Sequence, residues 1–185
     1  MRKALLIACA LLLWGGMLSA QSINYYPAAS SGTNSGTVLS TSGVSLGLAT
    51  TGTAEEVLKT WTIPANTFPT ANYGFRVYAW WNSANNANAK TPRIRLGGIG
   101  GTAICGAGIA VATERYYCDM TCLVAAAGVL ECTGMAGKTS IGGGINPIQY
   151  SYTFTNSLDV VATGTSGVAL GEITLNTFMG WFFRP

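Results

Sequence analysis

The sequence predicts an all-β protein: an antiparallel β-sandwich, jelly-roll-like, of about eight strands. Three observations carry this. Only 9% of the 185 residues are charged, and a chain so rich in Gly, Ser, Thr and Asn lacks the Glu and Lys that the wet face of a surface helix needs. From Glu56 onward, short runs of alternating apolar and polar residues stand between Gly, Pro and Asn turn signals, as half-buried strands do. No segment holds a convincing helical period and no internal repeat stands out, which argues against bundles, propellers and solenoids.

The first element is a leader. Arg2 and Lys3 give a short positive head, residues 4–14 are almost unbroken apolar sequence, and small residues lead to Ser19-Ala20 before the polar Gln21-Ser22. That order is a secretory signal peptide over 1–20, cut near Ala20. The apolar run is too short to span a bilayer, which takes ~20 apolar residues. Leu18 is large for the minus-three position. Two rivals are a lipoprotein, through Leu6-Ile7-Ala8-Cys9 with only eight residues before the cysteine, and a retained anchor helix. Export makes the mature protein secreted or extracellular, a virion included, with no membrane partner after cleavage.

The mature chain has 165 residues, with eight basic residues against seven acids. That length suffices for one domain with a sizeable core, and that balance offers no electrostatic footprint for nucleic acid. Residues 21–54 are a low-complexity N-terminal arm of Ser, Thr, Gly and Asn, extended or partly disordered. Within it Val44-Ser45-Leu46-Gly47-Leu48 alternates as an edge strand does. An arm that docks on a neighbouring subunit would look like this, and so would a plain leader.

The sandwich domain spans 55–185. Its first strand runs over 57–63 and closes at Pro64-Ala65-Asn66. The clearest strand is 74–81, with Phe75, Val77, Ala79 and Trp81 on one face and Arg76, Tyr78 and Trp80 on the other. An Asn-rich tip over 82–88 follows, then Ile94 and Leu96 alternating with Arg93 and Arg95. Pairing Arg93 with Trp80 and Arg95 with Tyr78 makes the apolar faces coincide and sets a hairpin tip at Asn86-Ala87. A small-residue strand is expected over 102–113. A second hairpin joins 115–124 to 129–133. The glycines 142–144 break the chain before a strand at 148–154. Further strands carry Leu158, Val160 and Ala162, then Ile173 and Leu175. The tail Phe178-Met179-Gly180-Trp181-Phe182-Phe183 reads either as an interface plug or as the last core strand.

Cleavage removes Cys9 and leaves Cys105, Cys118, Cys122 and Cys132. An even number in an exported chain reads as two disulfides. The spacings of thirteen, four and ten lack the Cys-x-x-Cys pairs of a zinc site. Cys122 and Cys132 lie nearly opposite across the 125–128 turn, which favours that pair, with Cys105 and Cys118 as the second, over the other two connectivities, which stay open. Such loops contribute roughly 2–3 kcal/mol each on the chain-entropy model.

There is no histidine, which removes Ser-His-Asp and Cys-His catalysis and the commonest zinc ligand. The acids Glu55, Glu56, Glu114, Asp119, Glu131, Asp159 and Glu172 form no dense cluster in sequence, and no calcium loop is visible. No enzyme, cofactor or metal is expected. No Asn-x-Ser/Thr sequon is present.

The run Glu56-Val57-Leu58, Thr62-Ile63-Pro64-Ala65-Asn66-Thr67, Phe75-Arg76-Val77-Tyr78-Ala79-Trp80, Ala84-Asn85-Asn86-Ala87-Asn88-Ala89-Lys90-Thr91 and Arg95-Leu96-Gly97-Gly98 resembles a family of small β-sandwich proteins of tailed bacteriophages, virion-associated or of tail-fibre type. The resemblance is strongest over 55–98, roughly a quarter of the chain, and implies a virion role.

Arg76, Tyr78, Trp80, Arg93 and Arg95 are the candidate ligand or subunit interface. In the predicted hairpin they share one outward face, where aromatics beside guanidinium groups suit stacking on sugar rings or on another protein. The competing and commoner outcome is that a second sheet or a neighbouring subunit simply covers them. The expectation for function is a non-enzymatic structural subunit of an extracellular or virion assembly, self-associating or joined to other subunits. The alternative is a secreted carbohydrate-binding or adhesion module facing a surface glycan.

Overall fold

A computed structural model describes residues 37–38, 48–106, 115–138, 141–168 and 171–183. The leader 1–20, most of the arm 21–54 and residues 107–113 of the small-residue strand lie outside the described residues. Strands β3 (Glu55–Ile63), β10 (Leu158–Ser166), β5 (Lys90–Leu96) and β6 (Thr102–Gly106) form a four-stranded sheet in that order. The larger, seven-stranded sheet runs β1 (Thr37–Val38), β11 (Ile173–Phe183), β4 (Gly74–Ser83), β7 (Arg115–Ala126), β8 (Val129–Lys138) and β9 (Ile141–Ser151), with β2 (Leu48–Ala49) also on β11. Every pairing is antiparallel.

The pairings nest. β1 lies on β11, β3 on β10, β4 on β7 and β5 on β6. A long hairpin rolled into two sheets produces this order, and it is a jelly roll. These eight strands make the roll, and β2, β8 and β9 are additions to it; the strands expected from sequence are β3 to β11, and β1 was not among them. The β8–β9 hairpin widens the larger sheet.

One expected pairing is corrected. β4 and β5 do not form a hairpin. Trp80 stands opposite Tyr117 and Thr177, and Arg93 stands opposite Thr163 and Gly106. The connection over 84–89 crosses from one sheet to the other instead of turning within one. Polar groups hold it. Glu172, 3% exposed, accepts hydrogen bonds at Oε1 from Asn86 Nδ2 (2.8 Å) and Asn88 Nδ2 (2.6 Å) and at Oε2 from Ser166 Oγ (2.8 Å). Lys90, fully buried, donates to Asn86 Oδ1 (2.6 Å) and to the carbonyls of Asn88 (2.8 Å) and Asn86 (3.2 Å). The Asn86 amide therefore links a buried carboxylate to a buried ammonium. This satisfies both charges, which burial alone would penalise.

The hydrogen bond from Asn88, with those from Ser166, Asn86 and the Val168 backbone, lowers the Glu172 carboxyl to about 2 from an ordinary 4.5, against the opposing effect of burial. A lowered folded-state pKa makes its contribution complete above about 4.5 and removes it as pH falls towards about 2. Urea midpoints measured from pH 6 down to pH 2 are therefore expected to fall less steeply in Glu172→Gln than in the parent protein. Equal slopes would show that this carboxylate does not couple folding to acid.

Two further sequence readings change. The glycines 142–144 lie within β9, paired with 135–137 of β8, and 152–154 follow the strand. The tail over 178–183 is the last core strand, seated between β4 and β1. Of the alternating arm patch, Leu48 pairs with Leu175, and 44–47 lie outside the described residues.

The core forms between the sheets because the strands alternate. Phe75, Val77, Ala79 and Trp81 of β4 and Ile94 and Leu96 of β5 point inward and are buried. At one end Trp61 of β3 reaches across to the opposite sheet. Its ring lies 5.7 Å from Phe75 and 5.2 Å from Phe182, and Phe68, from the loop after β3, stacks on Phe75 at 5.8 Å. Trp61 fits because β11 places a glycine beneath it. A Cβ on Gly180 would stand 2.3 Å from the indole.

Both expected disulfides are present. Cys122 and Cys132 are cross-strand neighbours on β7 and β8, with Cα atoms 4.0 Å apart. Cys105 and Cys118, 6.3 Å apart at Cα, join β6 to β7 and so tie the two sheets together. Two disulfides fit an extracellular protein. Among the described residues no helix is long and apolar enough to cross a membrane.

Candidate interaction surface

The five candidate residues lie on two surfaces. All five point outward, as their alternation implies, but Arg76, Tyr78 and Trp80 are on the outer face of the larger sheet, while Arg93 and Arg95 are on the outer face of the smaller one. The core separates the two groups.

On the smaller sheet the arginines close on Glu55. Arg95 Nε and Nη2 each donate to a Glu55 oxygen at 2.7 Å, Arg93 Nη1 stands 3.2 Å from Oε2, and Thr163 Oγ1 donates to Oε1 at 2.5 Å. Arg95 Nη1 also donates to the Gly101 carbonyl at 2.8 Å. Burial raises the Glu55 carboxyl, but the hydrogen bonds from Arg95 and Thr163 and the two guanidinium charges outweigh it and hold it below the ordinary value. The geometry is that of a clamp between β3, β10 and β5, with its charges spent on each other. Beside it a cleft of about 330 Å³ opens between β6 and β9, lined by Arg93, Ile104, Cys105, Ile145 and Ile148. Its one charged group is Arg93, already engaged with Glu55 and Thr165.

The larger sheet's outer face differs. Register places its outward side chains in rows across β11, β4, β7 and β8: Trp181, Arg76, Thr121 and Thr133; then Met179, Tyr78, Asp119 and Met135; then Thr177, Trp80 and Tyr117. Arg76 Nε donates to Asp119 Oδ1 at 2.6 Å and its Nη2 pairs with Oδ2, so the central charge is neutralised within the sheet. The Arg76 guanidinium also lies 5.5 Å from the Trp181 ring centre, and that of Arg115 lies 5.1 Å from Trp80. Burial first, and then the Asp119 charge, raise the Tyr78 phenol above its ordinary value, so it remains a neutral hydroxyl. Around this pair rings and methionines alternate with threonines, and Glu131 stands opposite Leu123. Met135 is 54% exposed and Leu123 42%.

Sequence reasoning missed Tyr117, Asp119, Met135, Met179 and Trp181 as members of this surface. Their alternation on β7, β8 and β11 was readable. What was not readable is that β7 and β11 flank β4, because those pairings join residues about forty and one hundred positions apart. Among the described residues no three Cys, Asp or Glu side chains gather as a metal ion would require.

Compared with family models, with curated proteins and with solved structures, the chain matches none of them.

Proposed function

We propose that this protein is a structural subunit, without catalytic chemistry, of an extracellular or virion assembly, and that another subunit covers the outer face of the larger sheet. The observation that carries this reading is the face itself: Trp181, Met179, Tyr78, Trp80, Tyr117 and Met135 on one plane, with the central charge pair already satisfied. Aromatics, Met and Arg are the residues enriched in the cores of protein interfaces, where unpaired charge is depleted. A contiguous apolar patch left in water is a liability for an isolated protein, and a mature chain of nearly zero net charge has little to keep it dispersed.

At its β9 edge the larger sheet favours association through the face and not by strand addition. On β9, Asn146 and Pro147 stand against the single residue Thr133 of β8, a bulge with a proline that interrupts the edge. Jelly rolls recur in viral capsid and lectin domains, an analogy that raises both this reading and the glycan alternative without choosing between them. Ring faces favour the assembly reading. A sugar stacks on an aromatic face, and Arg76 and Arg115 already lie over Trp181 and Trp80. A protein surface can pack against the guanidinium planes as they stand.

The test is size-exclusion chromatography with light scattering on the mature protein over a concentration series. Self-association is expected, and Met135→Lys, a charge at the exposed β8 end of the face, is expected to weaken it by about tenfold or more, the effect of roughly 1.4 kcal/mol. A parent protein that stays monomeric throughout would overturn the reading for self-assembly.

A further inference from the structure

We infer that residues 21–36 of one copy lie across the outer face of the larger sheet of a neighbouring copy, over Trp181, Tyr78 and Met135. This rests on the proposed role of that face and names what covers it. Three features point to this occupant. The first is charge. No charged side chain occurs between Lys3 and Glu55, so apart from the α-amino group that cleavage leaves at its start the arm is neutral, and its side chains can settle on an apolar face without desolvating an ion. An acidic or basic partner would instead meet an Arg76–Asp119 pair with no charge to offer.

The second is chemistry at the far end of the arm. Ile23, Tyr25, Tyr26 and Pro27 are its large apolar residues. Tyr combines a large apolar ring with a hydroxyl, a side chain favoured at interfaces. The face offers Met135, exposed, beside the rings of Tyr78 and Trp181.

The third is position and reach. Thr37 pairs with Phe182, one residue from the end of β11, so the chain that precedes it starts at the rim of its own sheet. Residues 21–36 span up to about 50 Å when extended, at about 3.3 Å per residue. The six strands that lie side by side across the larger sheet span only about 24 Å, at about 4.8 Å between neighbours. An arm twice as long as the sheet is wide, starting at its rim, is long enough to reach a second copy. Docking it in trans links copies through the apolar face, which an isolated copy would leave in water.

The test uses the full mature chain with a photo-crosslinking phenylalanine analogue at position 26, mixed from isotopically heavy and light preparations. Heavy–light cross-links from position 26 to peptides of β4, β7, β8 or β11 are expected, and Met135→Lys is expected to abolish them. In parallel, Tyr25→Ser with Tyr26→Ser should weaken self-association by about tenfold, the scale of losing interface aromatics. Cross-links confined to a single copy, cross-links elsewhere, or full association by the Tyr25→Ser, Tyr26→Ser protein would each overturn the arm and leave the face standing. Association unaffected by Met135→Lys would remove the face, and the arm with it.

Discussion

Gly180→Ala is expected to destabilise the protein by about 3 kcal/mol or more, at the upper end of what overpacking a core costs. The added Cβ would stand 2.3 Å from Cζ3 and 2.4 Å from Cε3 of Trp61. Those atoms belong to a rigid ring, not to the loose end of a chain. The ring cannot slide aside freely, because Phe75 meets it edge-on at 5.7 Å and Phe182 lies at 5.2 Å. The two sheets would have to separate locally. For a domain whose whole stability is of order 5–15 kcal/mol, that is a large fraction, and for a chain of this size it corresponds to a fall in Tm of about 6–12 °C. The cause can be isolated by a double-mutant cycle. In a Trp61→Leu background, itself destabilised by loss of the ring, the same alanine should cost far less, giving a strong coupling between positions that share no strand. An equal cost in both backgrounds would show that the indole does not rest on Gly180.

Replacing Cys105 and Cys118 together by serine is expected to lower the unfolding free energy by about 3 kcal/mol, the chain-entropy value for a loop of this length. The Cys122–Cys132 bridge closes a slightly shorter loop and should contribute similarly by that term. The structural consequences differ. Cys122 and Cys132 join strands that already pair along β7 and β8, so their loss leaves the sheet hydrogen-bonded. Cys105 and Cys118 join β6 to β7 in different sheets, with no backbone ladder to hold the flank in their place. Tyr116 reports on this. Its hydroxyl lies 3.7 Å from Cys105 Sγ, and burial pushes its phenol up to about 12. Spectrophotometric titration should show a tyrosine moving back towards 10 in the Cys105→Ser, Cys118→Ser protein and not in the Cys122→Ser, Cys132→Ser protein. The same tyrosine behaviour in both would mean that the inter-sheet bridge does not hold the flank closed.

Much of the architecture was legible because it is written in short-range patterns. The period of two in Phe75–Trp81 and in Arg93–Leu96 states which side chains face inward, whichever strand lies alongside. The turn at 125–128 sets Cys122 opposite Cys132, so one bridge followed from hairpin register and the other from what remained. The surface was only half legible for the same reason. Alternation sent Arg76, Tyr78, Trp80, Arg93 and Arg95 outward correctly, but it carries no information on which outside.

What the sequence alone determined is therefore local: the all-β class, the inward and outward faces of the principal strands and the β7–β8 hairpin, which favoured one cysteine pairing of three. The tertiary structure decided the partners. Two amphipathic strands joined by an Asn-rich loop satisfy every local requirement of a hairpin, yet β11 takes the edge of β4 some ninety to one hundred and ten residues later and β10 takes the edge of β5 some sixty-five to seventy-five residues later. Only then do Asn86, Asn88 and Lys90 turn inward on Glu172 and the backbone to hold a crossing between sheets. An apolar strand face must be covered by another sheet, and which strands supply that sheet is settled by the chain as a whole. That choice divided the five outward residues between a closed ionic clamp and an open aromatic face.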